Sequence, residues 1–575
     1  MVVATAPAQK RLTTQTVEIA EDTTAIRSLD WDRDRFDIEF GLQNGTTYNS
    51  FIIRGEKTAL VDTSHEKFRH LYLDALQNAI DVKTIDYLIV SHTEPDHSGL
   101  VKDVLQLAPQ ITVVGAKVAI QFLEDLVHHP FNKLIVKNGE TLDLGNGHEV
   151  EFVNAPNLHW PDTIFSYDRK TQLMFTCDAF GMHYCSDAVY DEDLSKIEPD
   201  YRFYYECLMA PNARSVLSAM KRMDNLGDIA TVATGHGPLL HYNVKELTER
   251  YRTWSKAQTK AETIVAVFYV ADYGYSDRLS QAIARGITKT GVAVEMMDLK
   301  SADPQEVNEL VSSAAGLVVG TPPASGPVAT AILDALGTVL VAAKDKQAIG
   351  IFEAYGGNDE PIDTLVGKFR DVGLKPGFKP IRIEATPDEQ IYQLCEEAGT
   401  DLGQLLSQKD AIKKMKSLDS DLDKALGRIS GGLYIITAQK GDLRSGMLAS
   451  WVSQASFQPL GFTIAVAKDR AIESLMQVGD RFVLNVLEEG NYQGLMKHFL
   501  KRFLPGADRF EGVSTQPAGN GSPILTDALA YMECTVVSRM ECADHWIVYS
   551  SVDSGRVSKS DAVTAVHHRK VGNHY

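Results

Sequence analysis

A chain of 575 residues is long enough for about four domains of ordinary size, and 44% apolar with 23% charged residues is ordinary globular usage, so each part can bury its own core. The formal net charge of −19 argues against nucleic acid and anionic membranes as partners and favours a basic redox partner or none. The six cysteines (Cys177, Cys185, Cys207, Cys395, Cys534, Cys542) form no C-x-x-C pair, which excludes a four-cysteine iron module, and they read as reduced thiols. With no basic-then-apolar leader and no membrane-length apolar run, the expectation is a cytoplasmic protein without membrane insertion.

Residues 1–30 read as an N-terminal extension, and the first domain as 31–257. Within it the apolar run Ile85-Asp86-Tyr87-Leu88-Ile89-Val90 predicts a strand. Ser91-His92-Thr93-Glu94-Pro95-Asp96-His97-Ser98-Gly99 follows at once and packs two imidazoles and two carboxylates into six positions. A strand holds its end rigid and the next loop can fold side chains back onto the same point, so one stretch can feed two adjacent metal ions. Four specified residue types at fixed spacing arise by chance about once in 10^5 positions. Further on, His159 (in Pro156-Asn157-Leu158-His159-Trp160), Asp178 (in Phe175-Thr176-Cys177-Asp178-Ala179) and His236 (in Thr234-Gly235-His236-Gly237-Pro238) each stand beside a strand-like run or a glycine turn.

The polar stretch Trp254–Glu262 marks a first break, after which Thr263-Ile264-Val265-Ala266-Val267-Phe268-Tyr269 has the continuous apolar pattern of a buried parallel strand. Strand-like runs at 292–297, 316–320, 347–352 and 381–383 then alternate with helical periodicity at 278–288, 304–313, 329–342, 362–372 and 388–406, which predicts a doubly wound sheet over 263–406. Residues 407–421, charged and poor in large apolar side chains, read as a linker with some helix. From 422 to 575 a glycine-rich, antiparallel pattern takes over (Gly431–Ala438, Gly446–Pro459, Phe462–Val466, Arg481–Leu487).

The seven side chains His92, Glu94, Asp96, His97, His159, Asp178 and His236 resemble the site of the metallo-β-lactamase-like fold, and the complete set looks like the diiron centre of flavodiiron proteins. The resemblance implies an αββα domain in which His92, Glu94 and His159 hold one iron, Asp96, His97 and His236 the other, and Asp178 bridges them. Glu94 is the informative departure from zinc hydrolases of this fold, which usually carry histidine there; a carboxylate adds a hard anionic oxygen and favours iron. Three carboxylates against two Fe(II) leave the cluster near +1, so diferric iron would demand extra oxide or hydroxide.

The middle segment resembles a short-chain flavodoxin. The resemblance places FMN phosphate at Tyr273, Gly274, Tyr275 and Ser276, with the ring between Thr321, Pro322, Pro323, Ala324 and Gly326 on one side and Tyr355, Gly356 and Gly357 on the other. Ser276 alone remains of the hydroxyls usual in the first loop. The C-terminal segment resembles the split β-barrel flavin reductases, also through Ala467-Lys468-Asp469-Arg470, Asp508-Arg509-Phe510-Glu511-Gly512 and Ala543-Asp544-His545-Trp546-Ile547. That implies FMN or FAD held by Leu448, Ala449, Ser450, Trp451, Gln454, Ser456, Lys468 and Asn485, with His545 facing the nicotinamide of NAD(P)H.

The order of the three segments is that of the cyanobacterial flavodiiron proteins with a fused flavin reductase. The family implies an NAD(P)H:oxygen oxidoreductase that reduces O2 to water, with electrons passing from NAD(P)H through the C-terminal flavin and the middle FMN to two irons. It implies protection against over-reduction or oxygen stress in photosynthetic electron flow, reduced ferredoxin as another possible donor, and a head-to-tail homodimer or a hetero-oligomer with a paralogue. Two alternatives stand beside it: nitric oxide as substrate at the same site, and, from another class, a zinc metallo-hydrolase.

Overall fold

The computed structural model describes residues 11–569 except 34, 37–39, 271–274, 301, 322–328, 346, 354–359, 384–385, 416–420, 442, 502, 504–506 and 543. The chain divides after Lys260 into two compact units. In the first, side chains alternate along each strand and sort into separate cores. Ile26, Ile52, Leu60, Leu88 and Val113 face one way, onto Tyr72, Leu76, Val104 and Leu123 of the helices Arg69–Ala79, Val101–Leu107 and Lys117–Val127. Their neighbours Ala25, Phe51, Val61, Ile89 and Val114 face the other way and meet Val150, Phe152, Phe175 and Ala233 of a second sheet. That sheet turns Val153, Phe165, Tyr167 and Met174 outward onto Tyr201, Val216 and Tyr251 of a further helical layer. The result is an αββα sandwich. Its seven-stranded sheet runs in the order Leu12–Ala20, Thr23–Asp30, Thr46–Arg54, Thr58–Val61, Ile85–Ile89, Thr112–Gly115, Asn132–Ile135, and its five-stranded sheet in chain order from Thr141–Gly145 to Thr231–Thr234.

Residues 12–30 correct the reading of an N-terminal extension. They are the two outer strands of the larger sheet, antiparallel to each other, and the second pairs with Thr46–Arg54. The alternation in Leu12-Thr13-Thr14-Gln15-Thr16-Val17-Glu18-Ile19 carries that signal, hidden because threonine and glutamine stand where a longer apolar series would announce a strand.

The second unit opens with a five-stranded parallel sheet in the order Ala293–Asp298, Ile264–Tyr269, Gly316–Gly320, Ala348–Phe352, Lys375–Pro376. The fifth strand was expected at 381–383; it lies at Lys375–Pro376, and Ile381 adds only a lone bridge to Phe352. Pro376 and Pro380 donate no amide hydrogen, so this edge is stitched by Gly377 N–H to Ile349 O (2.7 Å) and Ile381 N–H to Ile351 O (3.0 Å). The long helix Glu389–Met415 runs through nine positions of the expected linker. Gln, Lys, Ala and Met are good helix formers, so a stretch too polar to read as a core helix still propagates one. A seven-stranded antiparallel sheet follows, ordered Leu443–Ala449, Tyr434–Lys440, Arg481–Val486, Ala530–Cys542, His545–Val557, Leu460–Ala467, Val452–Phe457, around Ile436, Ile464, Phe482, Leu484 and Val548. Among the described residues no helix is long and apolar enough to cross a membrane.

The helices Ser276–Thr288 and Glu389–Met415 pair backbone against backbone, because a Cβ on Gly286 would lie 2.0 Å from Glu396 O and one on Gly399 2.1 Å from Ile283 O. Gly286→Ala should therefore destabilise by about 1–3 kcal/mol, even though alanine is the better helix former by about 1 kcal/mol. Denaturant unfolding of the variant checks the sign.

Candidate metal centre

Five loops at the sheet ends build the site. The strand Ile85–Ile89 delivers Ser91, whose N–H donates to Asp62 Oδ1 (2.7 Å), and Asp62 itself sits at φ 56° just past the strand Thr58–Val61. Thr93 donates both its N–H (2.9 Å) and its hydroxyl (2.6 Å) to Asp162 Oδ2. Glu94 then caps the short helix Pro95–Ser98, which carries Asp96 and His97. A Cβ on Gly235 would lie 2.7 Å from His97 Cε1, so glycine before His236 is what lets the two imidazoles approach.

All seven expected ligands converge, each at most 6% exposed. Asp178 Oδ2 lies 3.3 Å from His92 Nε2 and 3.2 Å from His159 Nε2, and the latter is 3.0 Å from Glu94 Oε2. Asp178 Oδ1 lies 3.1 Å from His97 Nε2 and 3.2 Å from His236 Nε2, and the latter is 3.3 Å from Asp96 Oδ2. Ligands about 2.1 Å from one metal lie about 3.0 Å apart in octahedral and about 3.4 Å in tetrahedral geometry. The separations fit two cations, each on its own oxygen of Asp178. The donors are four imidazoles and three carboxylates, a set for iron; Cys177 Sγ comes within 4.8 Å of ligand atoms, but burial pushes its thiol well above the ordinary range and keeps it protonated.

The electrostatics are those of a cluster waiting for positive charge. Burial opposes ionisation of Asp178, yet His92, His97, His159 and His236 outweigh it and hold the carboxyl well below the usual range. Burial pushes His92 down to about 3, so it stands neutral as a ligand must. His236 is pushed up to about 10, burial being outweighed by hydrogen bonds to Asp178 and Asp96. Its Nδ1 lies 2.6 Å from the carbonyl of Thr47, which can only accept, so Nε2 is the atom that exchanges a proton for a metal.

Sequence reasoning missed the supporting shell of Asp62, Asp162, Thr47 and His183. His183 is buried with Nδ1 2.8 Å from Thr46 Oγ1 and its ring 4.8 Å from that of His236. Asp62 had a usable signal, since Val61-Asp62 repeats the strand-then-aspartate pattern of Cys177-Asp178; the others had none.

The comparisons agree with this geometry. A family model described as ODP family beta lactamase matches residues 46–237, and one described as Flavin reductase like domain matches 426–573. The chain is 71% identical over 571 residues to diflavin flavoprotein A 1 of Synechocystis sp. (strain ATCC 27184 / PCC 6803 / Kazusa), covering 99% of each. It is 72% identical over 576 residues to a diflavin flavoprotein A 3 of Nostoc sp. (strain PCC 7120), covering all of both. The chain belongs to the diflavin flavoproteins. A solved structure, the metal-soaked Flv1 flavodiiron core from Synechocystis sp. PCC6803, is similar with a TM-score of 0.64 and 38% identity over 69% of this chain and 99% of that one. Diflavin flavoproteins are oxidoreductases that join a flavodiiron core to a flavin reductase domain, with diiron and flavin as cofactors.

The flavin loops of this diflavin flavoprotein are only partly described. Tyr273, Gly274, Pro322, Pro323, Ala324, Gly326, Tyr355, Gly356 and Gly357 lie outside the described residues. Tyr275 and buried Ser276 open the helix that follows the first parallel strand, and buried Thr321 follows the third; these neighbouring strand ends are where the strand order reverses, the usual crevice of such sheets. In the barrel, Leu448, Ala449 and Ser450 are buried where one strand ends, and the Trp451 ring lies 5.1 Å from that of His545 at a 44° tilt, with Arg569 4.8 Å from the centre of the indole ring. Gln454 is exposed on the edge strand, Ser456 bonds Pro459 O and Tyr549 Oη, and Lys468 pairs with Glu541. Asn485, expected to contact flavin, is fully buried. Its amide donates to Ile435 O and Thr437 Oγ1 and accepts from Leu525 N–H, which engages it inside the barrel wall.

Asp178→Ala removes the side chain shared by both ligand groups and should lose both irons, read by elemental analysis; retention of both would refute the ligand set. In the metal-free chain the raised His236 stabilises fully below 6.5, and that contribution is lost as pH rises through about 10. The unfolding midpoint of chelated protein should accordingly fall across that window, with His97 and His159, also raised, acting in the same direction. A flat or rising midpoint would count against this charge arrangement.

Proposed function

We propose that the chain is a cytoplasmic NAD(P)H:oxygen oxidoreductase that reduces O2 to water, drawing on the flavin of its C-terminal domain and the FMN of its middle domain. The observation that carries the reading is the division of ligands between the two oxygens of one buried aspartate, with a carboxylate at Glu94. When bound, two irons and a reduced flavin supply four electrons, the number O2 requires to become two waters, and a flavin is the group that converts the two-electron hydride of NAD(P)H into one-electron traffic.

The chain's own residues do the rest. Asp178 orients both ligand groups at once, and the Thr47 carbonyl and the Thr163 hydroxyl, 3.4 Å from His92 Nδ1, fix two imidazole rings. Burial of all seven side chains excludes bulk water, so partly reduced oxygen is retained rather than released. His97, His159 and His236 hold a proton more readily than free imidazole while no metal is present, and each gives up its Nε2 proton when iron binds. The Glu94 carboxylate speaks for iron against the zinc metallo-hydrolase. A head-to-tail homodimer or a hetero-oligomer with a paralogue would bring one chain's FMN to another's diiron site, and reduced ferredoxin is a second donor compatible with the flavins.

Oxygen uptake by the intact chain should consume about two NAD(P)H per O2 with almost no peroxide, whereas Glu94→Ala should shift to about one NAD(P)H per O2 with peroxide recoverable by catalase. An oxygen electrode with parallel absorbance at 340 nm reads both. Wild type already giving the peroxide pattern would reject O2 as the terminal substrate, and nitric oxide would be assayed next.

A further inference from the structure

Along the helix Glu389–Met415, Gln393, Glu396, Glu397, Asp401 and Gln404 recur at helical spacing as a wholly polar stripe. A stripe of this kind normally faces water, yet all five are between 3% and 7% exposed. The reductase-like lobe covers Gln393, Glu397, Asp401 and Gln404, while Glu396 faces Arg285 and Lys289 of the flavodoxin-like lobe. Arg509 donates through Nε to Glu397 Oε1 (2.9 Å) and through Nη2 to both oxygens of Asp401 (2.9 and 3.0 Å). Gln404 donates to Asp469 O and Gln393 to Ser474 O (3.3 Å). Lys440 reaches Glu389 Oε1 at 2.6 Å.

At the middle of this seam sits Glu473, 1% exposed, which pairs with Lys289 from the flavodoxin-like lobe and with Arg539 from the barrel; Lys289 also pairs with Glu396. Arg539 is stacked 4.2 Å over Trp546, which fixes its guanidinium. Arg509 lies in the Asp508–Gly512 motif and Asp469 next to Lys468 in the Ala467–Arg470 motif, and neither Arg509 nor Asp469 itself has a role in the chemistry proposed above.

We propose that the flavodoxin-like and reductase-like lobes are permanently docked through this charge seam, so that the seam, and not residues 407–421, sets the geometry at which one flavin hands electrons to the other. Buried ion pairs add little net stability, because desolvation offsets attraction, but removing or reversing one partner strands the rest. Such a seam therefore specifies one docking arrangement and penalises every other. The electron hand-over clause rests on the function proposed above; the docking does not.

The test keeps the chain whole and replaces residues 416–420 with a site-specific protease sequence. After cutting, the two pieces should co-elute on gel filtration at about 0.15 M salt, and separation would overturn the proposal. Glu473→Arg, which places a cation among Lys289, Arg285 and Arg539, should release the pieces, as should Arg509→Glu at the far end of the seam. Each variant is first checked uncut for unchanged circular dichroism, and if one fails to fold the other decides. Pieces that stay together in a folded variant would overturn the proposal.

A second arm reads the hand-over. Lengthening 416–420 by about 20 Gly-Ser residues would lower a linker-governed rate about tenfold, from the −3/2 power dependence of effective concentration on length. The seam predicts NAD(P)H-driven oxygen uptake within about twofold of wild type. A tenfold fall with co-elution intact would reject the hand-over alone and leave the docking standing.

Discussion

One carboxylate organises the diiron unit. Asp178 is fully buried and offers each of its oxygens to a different pair of imidazoles, so two cations brought to this point must lie side by side at a separation fixed by a single rigid group. Without positive charge the arrangement is costly, since three carboxylates in an apolar interior are tolerated only with protonated histidines or metal beside them. The surrounding fold reads as the apparatus that enforces this convergence. Two sheets end their strands at one rim, and the non-glycine residues Asp62, Cys177 and Phe180 at positive φ turn the loops sharply enough to aim side chains inward.

The second unit obeys a different constraint. Its lobes meet through buried charge rather than an apolar patch, and the helix Glu389–Met415 serves both: its glycines bring it close to Ser276–Thr288, while its polar stripe faces the barrel. A diflavin chain must keep reduced flavin away from solvent oxygen, which would take electrons two at a time and yield peroxide. A docking surface that accepts one arrangement and rejects others limits that leak.

Asn485 is held inside the barrel wall, and Trp451, His545 and Arg569 form a close aromatic and cationic group at the strand ends that deliver Leu448, Ala449 and Ser450.

Much of the metal site was legible in the chain itself. His92, Glu94, Asp96 and His97 lie within six positions after an apolar strand, and Glu94 already favours a hard metal, because ligand type is written in the side chain itself. The doubly wound class was also readable from alternating periodicities, which depend on local sequence. What tertiary structure decided were the long-range partners. Thr47, Asp62, Asp162 and His183 support ligand loops far from them in sequence, the outer strands 12–30 gain meaning only from their pairing with Thr46–Arg54, and a stripe of glutamate, aspartate and glutamine side chains that reads as a solvated face is buried because a lobe encoded later in the chain covers it. Periodicity reports which residues share a face; only the folded chain determines what that face meets.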